Sequence, residues 1–486
     1  MTTSAWTEAL TLFNSELFHD VQMAGLFKDS KTFADAIGKQ PLASICEHYR
    51  QQCQQPGFEL AAFVEQHFEL PAEPDLSALQ CDDVDEYIAA MWSVLQRAPD
   101  QRQHDSLIPL QHRYLVPGGR FREIYYWDSY FTAEGLLCDG HSDVVVSMLE
   151  NFLDIQEQVG CIPNGNRAYY HTRSQPPVLV LIFDLVQHQL NEVQRARAIK
   201  GLQAEHQFWM QNRALRLADG SLLNRYYDND ATPRPESYRE DLNAVSGLND
   251  TRAHEFMRHI RAACESGWDF SSRWFADAND FTSIKTTDIV PVDLNALLYR
   301  LEFRLSQLVD DSSQQQAYAE AAAQRQQALN QYCYNAEQGF YFDYDHQQQR
   351  QTPIWSLAAV VPLFTQLASQ HQADAVADNL TKFLRPGGLV TTLTSTQQQW
   401  DSPNGWAPLQ WFAVKGLEHY GVNALAQDIK QRWVNLVADY YDANHVVLEK
   451  YDVCDPRKAA TGGEYEVQLG FGWSNGVYRA FREQLE

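Results

Sequence analysis

The stretch Val290-Pro-Val-Asp-Leu-Asn-Ala-Leu-Leu-Tyr-Arg-Leu-Glu-Phe-Arg-Leu-Ser-Gln-Leu308 sets Leu294, Leu298, Leu301, Leu305 and Leu308 at steps of three and four residues. That period lines one face of an α-helix. The step recurs on both sides. Downstream, Asp311 or Ser312 is placed to cap a helix whose Tyr318, Ala322, Arg325 and Leu329 share a face. Upstream, Val193, Ala196, Ile199 and Leu202 repeat the pattern. Val178 to Val186 is apolar except for Asp184 and follows Pro176-Pro177, which fits the start of a helix covered on nearly all sides.

The same reading predicts helices near 7–19, 31–37, 41–53, 59–69, 82–97, 128–158 in two pieces, 177–190, 192–214, 236–265 in two pieces, 292–309, 313–333, 355–369, 372–384, 405–419, 422–440 and 474–484. Short strands are expected at Gln338 to Tyr344 and Gly388 to Thr394. No βαβ alternation emerges, and Gly- and Pro-rich loops separate helix pairs joined by short connections. There is no long linker and no low-complexity tail. A single domain over 1–486 is therefore expected, all-α, its loops gathered at one rim, with a helical segment over 1–110 packed onto it.

The composition of 486 residues is 44% hydrophobic and 21% charged, which supports a folded core. With 38 Lys plus Arg against 63 acids, the net charge is −25. That charge repels phosphate backbones and anionic lipids, so neither a nucleic acid nor a membrane is an expected partner. No apolar run approaches the length of a membrane span. Eight dispersed cysteines without a CxxC, and a start (MTTSAWTEALTLF) without a basic and apolar leader, lead to the expectation of a cytoplasmic protein with reduced thiols.

Three local matches mislead. Gly472-Trp-Ser-Asn-Gly476 has the spacing of a nucleophile elbow, but no Asp or His follows it to complete a triad, so it reads as a tight turn entering the last helix. His254-Glu255 with His259 misses the i+4 spacing of a zinc helix by one residue, and no metal is expected. Gly470-Phe-Gly472 lacks the third glycine of a dinucleotide loop.

What remains is a recurring mixture of tryptophan, carboxylate, arginine and glycine. Pro117-Gly-Gly-Arg-Phe-Arg-Glu-Ile-Tyr-Tyr-Trp-Asp-Ser-Tyr130 combines a turn with Arg120, Trp127 and Asp128. Gln399-Trp-Asp-Ser-Pro-Asn-Gly-Trp-Ala-Pro408 sets an Asx-rich turn between Trp400 and Trp406. Gly462 to Gly476 surrounds Glu464 with glycines and aromatic residues, and Gly267-Trp-Asp-Phe-Ser-Ser-Arg-Trp-Phe275 holds Asp269 between two rings. Arg173 and Arg234 lie in Pro-stiffened loops. Rings that stack on apolar sugar faces, with carboxylates and guanidinium forks that bind hydroxyls, suit a carbohydrate. Glycosidic cleavage needs one acid to protonate the leaving oxygen and a second carboxylate to activate water or attack carbon. Asp128, Asp269, Asp401, Glu236, Glu449, Glu464 and Glu466 are all eligible on pattern alone.

These motifs resemble those of the trehalases of glycoside hydrolase family 37. PGGRFREIYYWDSY matches the family's first signature, QWDSPNGWAP its second, and the Gly-rich approach to Glu464-Tyr465 and GFGWSNGV the segment that follows. TGGEY at Thr461 to Tyr465 is shorter than the glycine run common in relatives. The resemblance implies an (α/α)6 toroid, a double ring of helices with long rim loops and small β elements. It implies inverting hydrolysis of α,α-trehalose to two glucoses, without a cofactor. By GWDFSSRW the general acid maps to Asp269, and by EKYD the general base maps to Glu449. Substrate-binding positions map to Arg120, Phe121, Trp127, Asp128, Asn164, Arg173, Gln175, Arg234, Glu236, Gly267 and Glu464, with Trp400 and Trp406 expected on the pocket wall. On physical grounds Glu464 competes with Glu449 for the role of base. A monomer acting on a disaccharide is the expected working state. The alternatives are another α-glucoside-cleaving inverting enzyme on the same fold, a sugar-binding protein without catalysis and, more distantly, a lipid or terpenoid enzyme on an α/α barrel.

Overall fold

The computed structural model describes residues 5–72, 76, 79, 81–101 and 103–485. Five short helices come first: α1 (Ala5–Phe13), α2 (Glu16–Ala24), α3 (Ser30–Ala34), α4 (Leu42–Gln52) and α5 (Leu60–His67). The helix expected over 7–19 is two helices, because the Ser15 hydroxyl accepts from the Phe18 amide and starts α2 anew. These helices bury their own apolar cluster, including Leu17, Phe18, Phe33, Ile45 and Phe68, which also takes in Tyr125, Tyr169 and Tyr170 from the segments that follow.

Twelve further helices form two concentric rings. They begin with α6 (Val84–Leu95), α7 (Tyr126–Cys138), α8 (Ser142–Val159), α9 (Leu179–Val186) and α10 (Glu192–Asn212). An insertion carries α11 (Tyr238–Ala244) and α12 (Asp250–Ser266). The rings resume with α13 (Val292–Leu308), α14 (Ser312–Tyr332), α15 (Val361–Phe364), α16 (Gln370–Leu380), α17 (Ala407–His419), α18 (Asn423–Asn444) and α19 (Gly472–Leu485). The inner helices touch in the order α7, α9, α13, α15, α17, α19, and α19 packs back on α7 to close the circle. The outer helices α8, α10, α14, α16, α18 and α6 cover them, giving the (α/α)6 toroid.

The leucine stripe of α13 is buried in full, and Asp311 caps α14 by accepting from the Gln314 amide. Two charges on otherwise apolar faces have partners. Arg325 of α14 meets Glu302 of α13 at 2.7 Å, and Asp184 of α9 meets Arg304 of α13 at 2.7 Å. Ring closure depends on glycine. A Cβ on Gly135 of α7 would stand 2.5 Å from the Gly476 Cα of α19, so the two backbones touch where a side chain would hold them apart. Gly472-Trp-Ser-Asn-Gly476 is thus the first turn of α19 rather than a turn before it, and Ser474 is engaged with the Glu449 carbonyl at 3.3 Å.

The helix expected over 355–369 is only a 3-10 turn at Leu357–Val360 running into α15, which carries Pro362 at its start. The expected strands shrink to Phe340–Tyr341 and Gly388–Leu389, two among several two- or three-residue strands in the loops. The antiparallel pair Asn404–Trp406 with Lys450–Asp452 matters for the site, since it sets Trp406 opposite Lys450. Among the described residues no helix is long and apolar enough to cross a membrane.

Candidate active site

The loops at one end of the rings line a shared cavity of about 90 Å³. Its wall contains Arg120, Phe121, Trp127, Asp128, Asn164, Arg173, Gln175, Arg234, Glu236, Gly267, Asp269, Trp400, Trp406 and Glu464. Segments more than three hundred residues apart in sequence meet here.

Asp128 reaches the wall from the first turn of α7, where Tyr125 rather than Asp128 or Ser129 occupies the N-cap. Trp127 is fixed by its own backbone, whose amide donates to Gln175 Oε1 at 3.0 Å. The Asp269 loop begins where α12 stops at Gly267, with φ 75°. A Cβ there would lie 2.8 Å from the Trp127 indole, so the helix end and the ring fit only with glycine between them. Trp400 and Trp406 stack face to face at 3.9 Å, and Trp268 and Trp127 adjoin Trp400 at 5.4 and 5.9 Å. This apolar wall faces a polar one. Arg173 donates to Asn164 Oδ1 at 2.6 Å and to Glu236 at 2.5 Å. Arg234 binds Asp241 at 2.6 Å and Glu464 at 3.0 Å.

Three buried polar atoms on this wall, Arg120 Nε, Arg173 Nη1 and Glu236 Oε2, have no hydrogen-bond partner among the described residues. Buried polar groups are ordinarily satisfied, so their convergence on one cavity suits a ligand rich in hydroxyls.

The carboxyls are tuned apart. Burial, followed by the negative charge of Glu464, pushes Asp269 up to about 7 against the opposing pull of Arg234 and Arg173. Burial also drives Asp128 well above the usual carboxylate range, with the charges of Asp269 and Glu449 adding to it. Burial acts on Glu236 too, but the Arg173 and Arg234 guanidiniums overcome it and hold the group below its ordinary value.

Glu449 is fully buried and stands behind the wall rather than on it. Its charge nevertheless reaches the wall residues Asp128 and Tyr465. Lys450 Nζ donates to Glu449 Oε1 at 3.0 Å, while Glu449 Oε2 has no partner among the described residues. Burial raises Glu449, and Lys450 and then Arg120 restrain the rise.

Two of the eligible carboxylates lie elsewhere. Asp401 is buried among donors: the Ser271, Ser272, Thr392 and Thr396 hydroxyls and the Ser272 amide, at 2.6–2.9 Å, so it stitches the Asp269 loop to the Trp400 loop. Glu466 is exposed and pairs with Lys28. Arg273, four residues after Asp269, is taken by Asp293 and Asp343 at 2.6 Å each.

Sequence reasoning missed Lys31, Tyr125, Tyr170, Ser237, Cys264, Tyr465, Phe471 and Trp473 on the wall. Tyr125, Tyr465, Phe471 and Trp473 sit inside the quoted motifs, and their crowding of rings was the available signal. Lys31 has none, lying 89 residues before Arg120 with no motif around it. Its ammonium is buried and donates to Asp35 at 2.9 Å, Glu123 at 2.6 Å and the Tyr169 hydroxyl at 2.8 Å. Glu123 in turn accepts from the Tyr125 hydroxyl at 2.7 Å, which meets the Tyr170 hydroxyl at 2.5 Å, and the Tyr170 ring lies under Arg173 at 5.0 Å.

Comparison with known proteins agrees with this geometry. The chain is 44% identical over 479 residues to the periplasmic trehalase of Pseudomonas aeruginosa, covering 95% of this chain and 88% of that protein. It is 42% identical over 483 residues to the periplasmic trehalase of Escherichia coli, covering 95% and 85%. Among solved structures, the neutral trehalase of Saccharomyces cerevisiae superposes with a TM-score of 0.66 at 28% identity, over 77% of this chain and 74% of that one. A mannosylglycerate hydrolase from Thermus thermophilus shares the fold, with a TM-score of 0.56 at 16% identity over 82% and 99%.

The bacterial relatives overturn one expectation. They are named periplasmic, so the cytoplasmic assignment does not stand. Free cysteines do not mark a compartment here, since Cys46, Cys161, Cys264 and Cys333 are buried side chains whose presence reports packing. The trehalase family profile matches residues 25–486, and with this site and these relatives the chain belongs to the trehalase family.

Proposed function

We propose that the protein hydrolyses α,α-trehalose to two glucose molecules with inversion, Asp269 acting as general acid and Glu449 as general base. The observation that carries this reading is Asp269 itself, a carboxyl raised to about 7 beside a tryptophan wall and an arginine wall. A group poised near neutrality holds a proton to give and releases it readily. Asp269 protonates the interglycosidic oxygen as the C1–O bond breaks. Water adds to C1 from the opposite face and loses its proton to Glu449, so one glucose leaves as the α anomer and the other forms as the β anomer. An inverting pair needs a carboxyl separation of roughly 6.5–9.5 Å to admit that water.

Glu449 is preferred to Glu464 as base because Glu449 Oε2 is unpartnered, while both Glu464 oxygens face Arg234, at 3.0 and 3.4 Å. Arg120, Arg173, Arg234, Asn164, Gln175, Glu236, Asp128 and Glu464 bind the sugar hydroxyls. Phe121, Trp127, Trp400 and Trp406 cover the ring faces, and Gly267 leaves room for Trp127. Lys31 of the N-terminal segment stands on the same wall as the ring loops, which supports reading the chain as one catalytic unit, with a monomer proposed as the working state.

Asp269→Asn and Glu449→Gln are each expected to lower kcat at least about 100-fold with the fold retained. Proton NMR of the first turnovers is expected to show α- and β-glucose in equal amounts. A product that is wholly α at early times removes the inverting mechanism, and near-normal kcat in either variant removes that residue from its role.

A further inference from the structure

We propose that Gln399 and Lys450 form a positioning bridge that joins the acid side of the reaction to the base side and keeps Glu449 ionised. The proposal rests on the assignment of Asp269 and Glu449 above. Gln399 Nε2 donates to the backbone carbonyl of Asp269 at 2.5 Å. Its Oε1 accepts from Lys450 Nζ at 2.6 Å. The same ammonium donates to Glu449 Oε1 at 3.0 Å. One amide and one ammonium thus span the distance between two residues 180 positions apart in sequence.

Both bridge residues are buried and held from behind. The Gln399 carbonyl accepts from Asn404 Nδ2 and Trp406 Nε1 at 3.0 Å each. Lys450 is paired with Trp406 in the two-stranded ladder, and its ammonium lies 5.1 Å from the Trp406 ring centroid and 5.4 Å from that of Tyr465. Its three protons therefore have an amide oxygen, a carboxylate oxygen and two π-faces around them. Room for the amide depends on Gly463, where a Cβ would meet Gln399 Oε1 at 2.6 Å.

The chemistry asks for this arrangement. A buried carboxylate needs a cation to stay charged, and Lys450 is the cation in direct contact with Glu449. The other charged or titratable groups whose fields meet that of Glu449 are Arg120 of the 117–121 turn, Asp128 of α7 and Tyr465 of the 461–469 loop. Arg120 supports the anion, while Asp128 is itself driven toward its neutral form by burial and by the charges of Asp269 and Glu449. Lys450 binds Oε1 alone and leaves Oε2 for a water proton, so the bridge orients the base without blocking it.

The test is the pH dependence of kcat and kcat/KM on trehalose for the full chain and for Lys450→Met, Lys450→Arg and Gln399→Met, with folding followed by circular dichroism. Lys450→Met is expected to move the acidic limb of kcat/KM upward by about one pH unit or more, because the base loses its counter-charge. Lys450→Arg keeps the charge and is expected to leave that limb in place while lowering kcat. Gln399→Met is expected to lower kcat about tenfold with KM little changed, as loss of alignment predicts.

An unmoved acidic limb in Lys450→Met overturns the proposal, and so does a Gln399→Met variant that loses efficiency through KM alone. Should Lys450→Met fail to fold, a shifted limb in Lys450→Arg, or that KM effect, overturns it instead. Glu449→Gln separates the two levels. Activity retained there removes the acid–base assignment, whereas an inactive Glu449→Gln beside an unmoved limb in Lys450→Met removes the bridge alone.

Discussion

At the scale of single residues, Asp269 sets the pH behaviour of the site. Its proton is available below about pH 7 and is lost above it, so the alkaline limb of kcat/KM is expected near neutrality. The adjacent negative charge of Glu464 is part of the cause. Glu464→Gln is therefore expected to move that limb downward, toward ordinary carboxylate values, and to raise KM through loss of the contact with Arg234; a pH–rate series measures both. Gly267 offers a purely steric counterpart. In Gly267→Ala the new methyl meets both an unfavourable positive φ and the Trp127 indole at 2.8 Å, a combination expected to cost about 1–3 kcal/mol in thermal unfolding and to displace Trp127 from the cavity.

At the scale of elements, α3 is tied to the cavity by the Lys31 cluster. Burial raises Asp35, but Arg167, Lys31 and the Tyr169 hydroxyl together bring it down to about 2. A carboxyl lowered in the folded state stabilises above its unfolded value of 3.8, and that contribution is lost as pH falls from there toward 2. Acid unfolding is expected to begin in that window. Lys31→Met leaves Asp35 and Glu123 buried with Arg167, and with Arg122 at 3.4 Å from Asp35, as remaining cations, and a loss of about 3 kcal/mol is expected in denaturant unfolding.

The same scale shows what was legible in the sequence. The periodicity of α13 and α14 announced the helices, and the glycine-bearing motifs announced the cavity wall, because spacing and φ requirements are local properties. Lys31 was not legible, since its partners Glu123 and Tyr169 lie 92 and 138 residues away and nothing near it in the chain marks the contact. Asp401 is the converse case. Its motif made it eligible for catalysis, and only its five donors identify it as a structural anchor. The apolar run at Leu357–Val360 forms a 3-10 turn rather than a full helix, and such a run carries no period by which to tell the two apart.

At the scale of the whole molecule, the toroid is stable only when closed, since each inner helix buries its flanks against two neighbours. The α7–α19 contact completes it, and Gly476→Ala would press a methyl to within 2.9 Å of the Thr132 Cα. Such overpacking is expected to cost about 1–3 kcal/mol, read as a lower Tm, and to weaken activity through Trp473, which stands in the same helix and on the cavity wall.

Closure by α19 also orders events during synthesis. The face of α7 that receives α19 is made more than three hundred residues before α19, so the ring stays open until that helix has been synthesised. Trp473 and the strand bearing Lys450 arrive late as well, so the segment that closes the ring also completes the cavity wall.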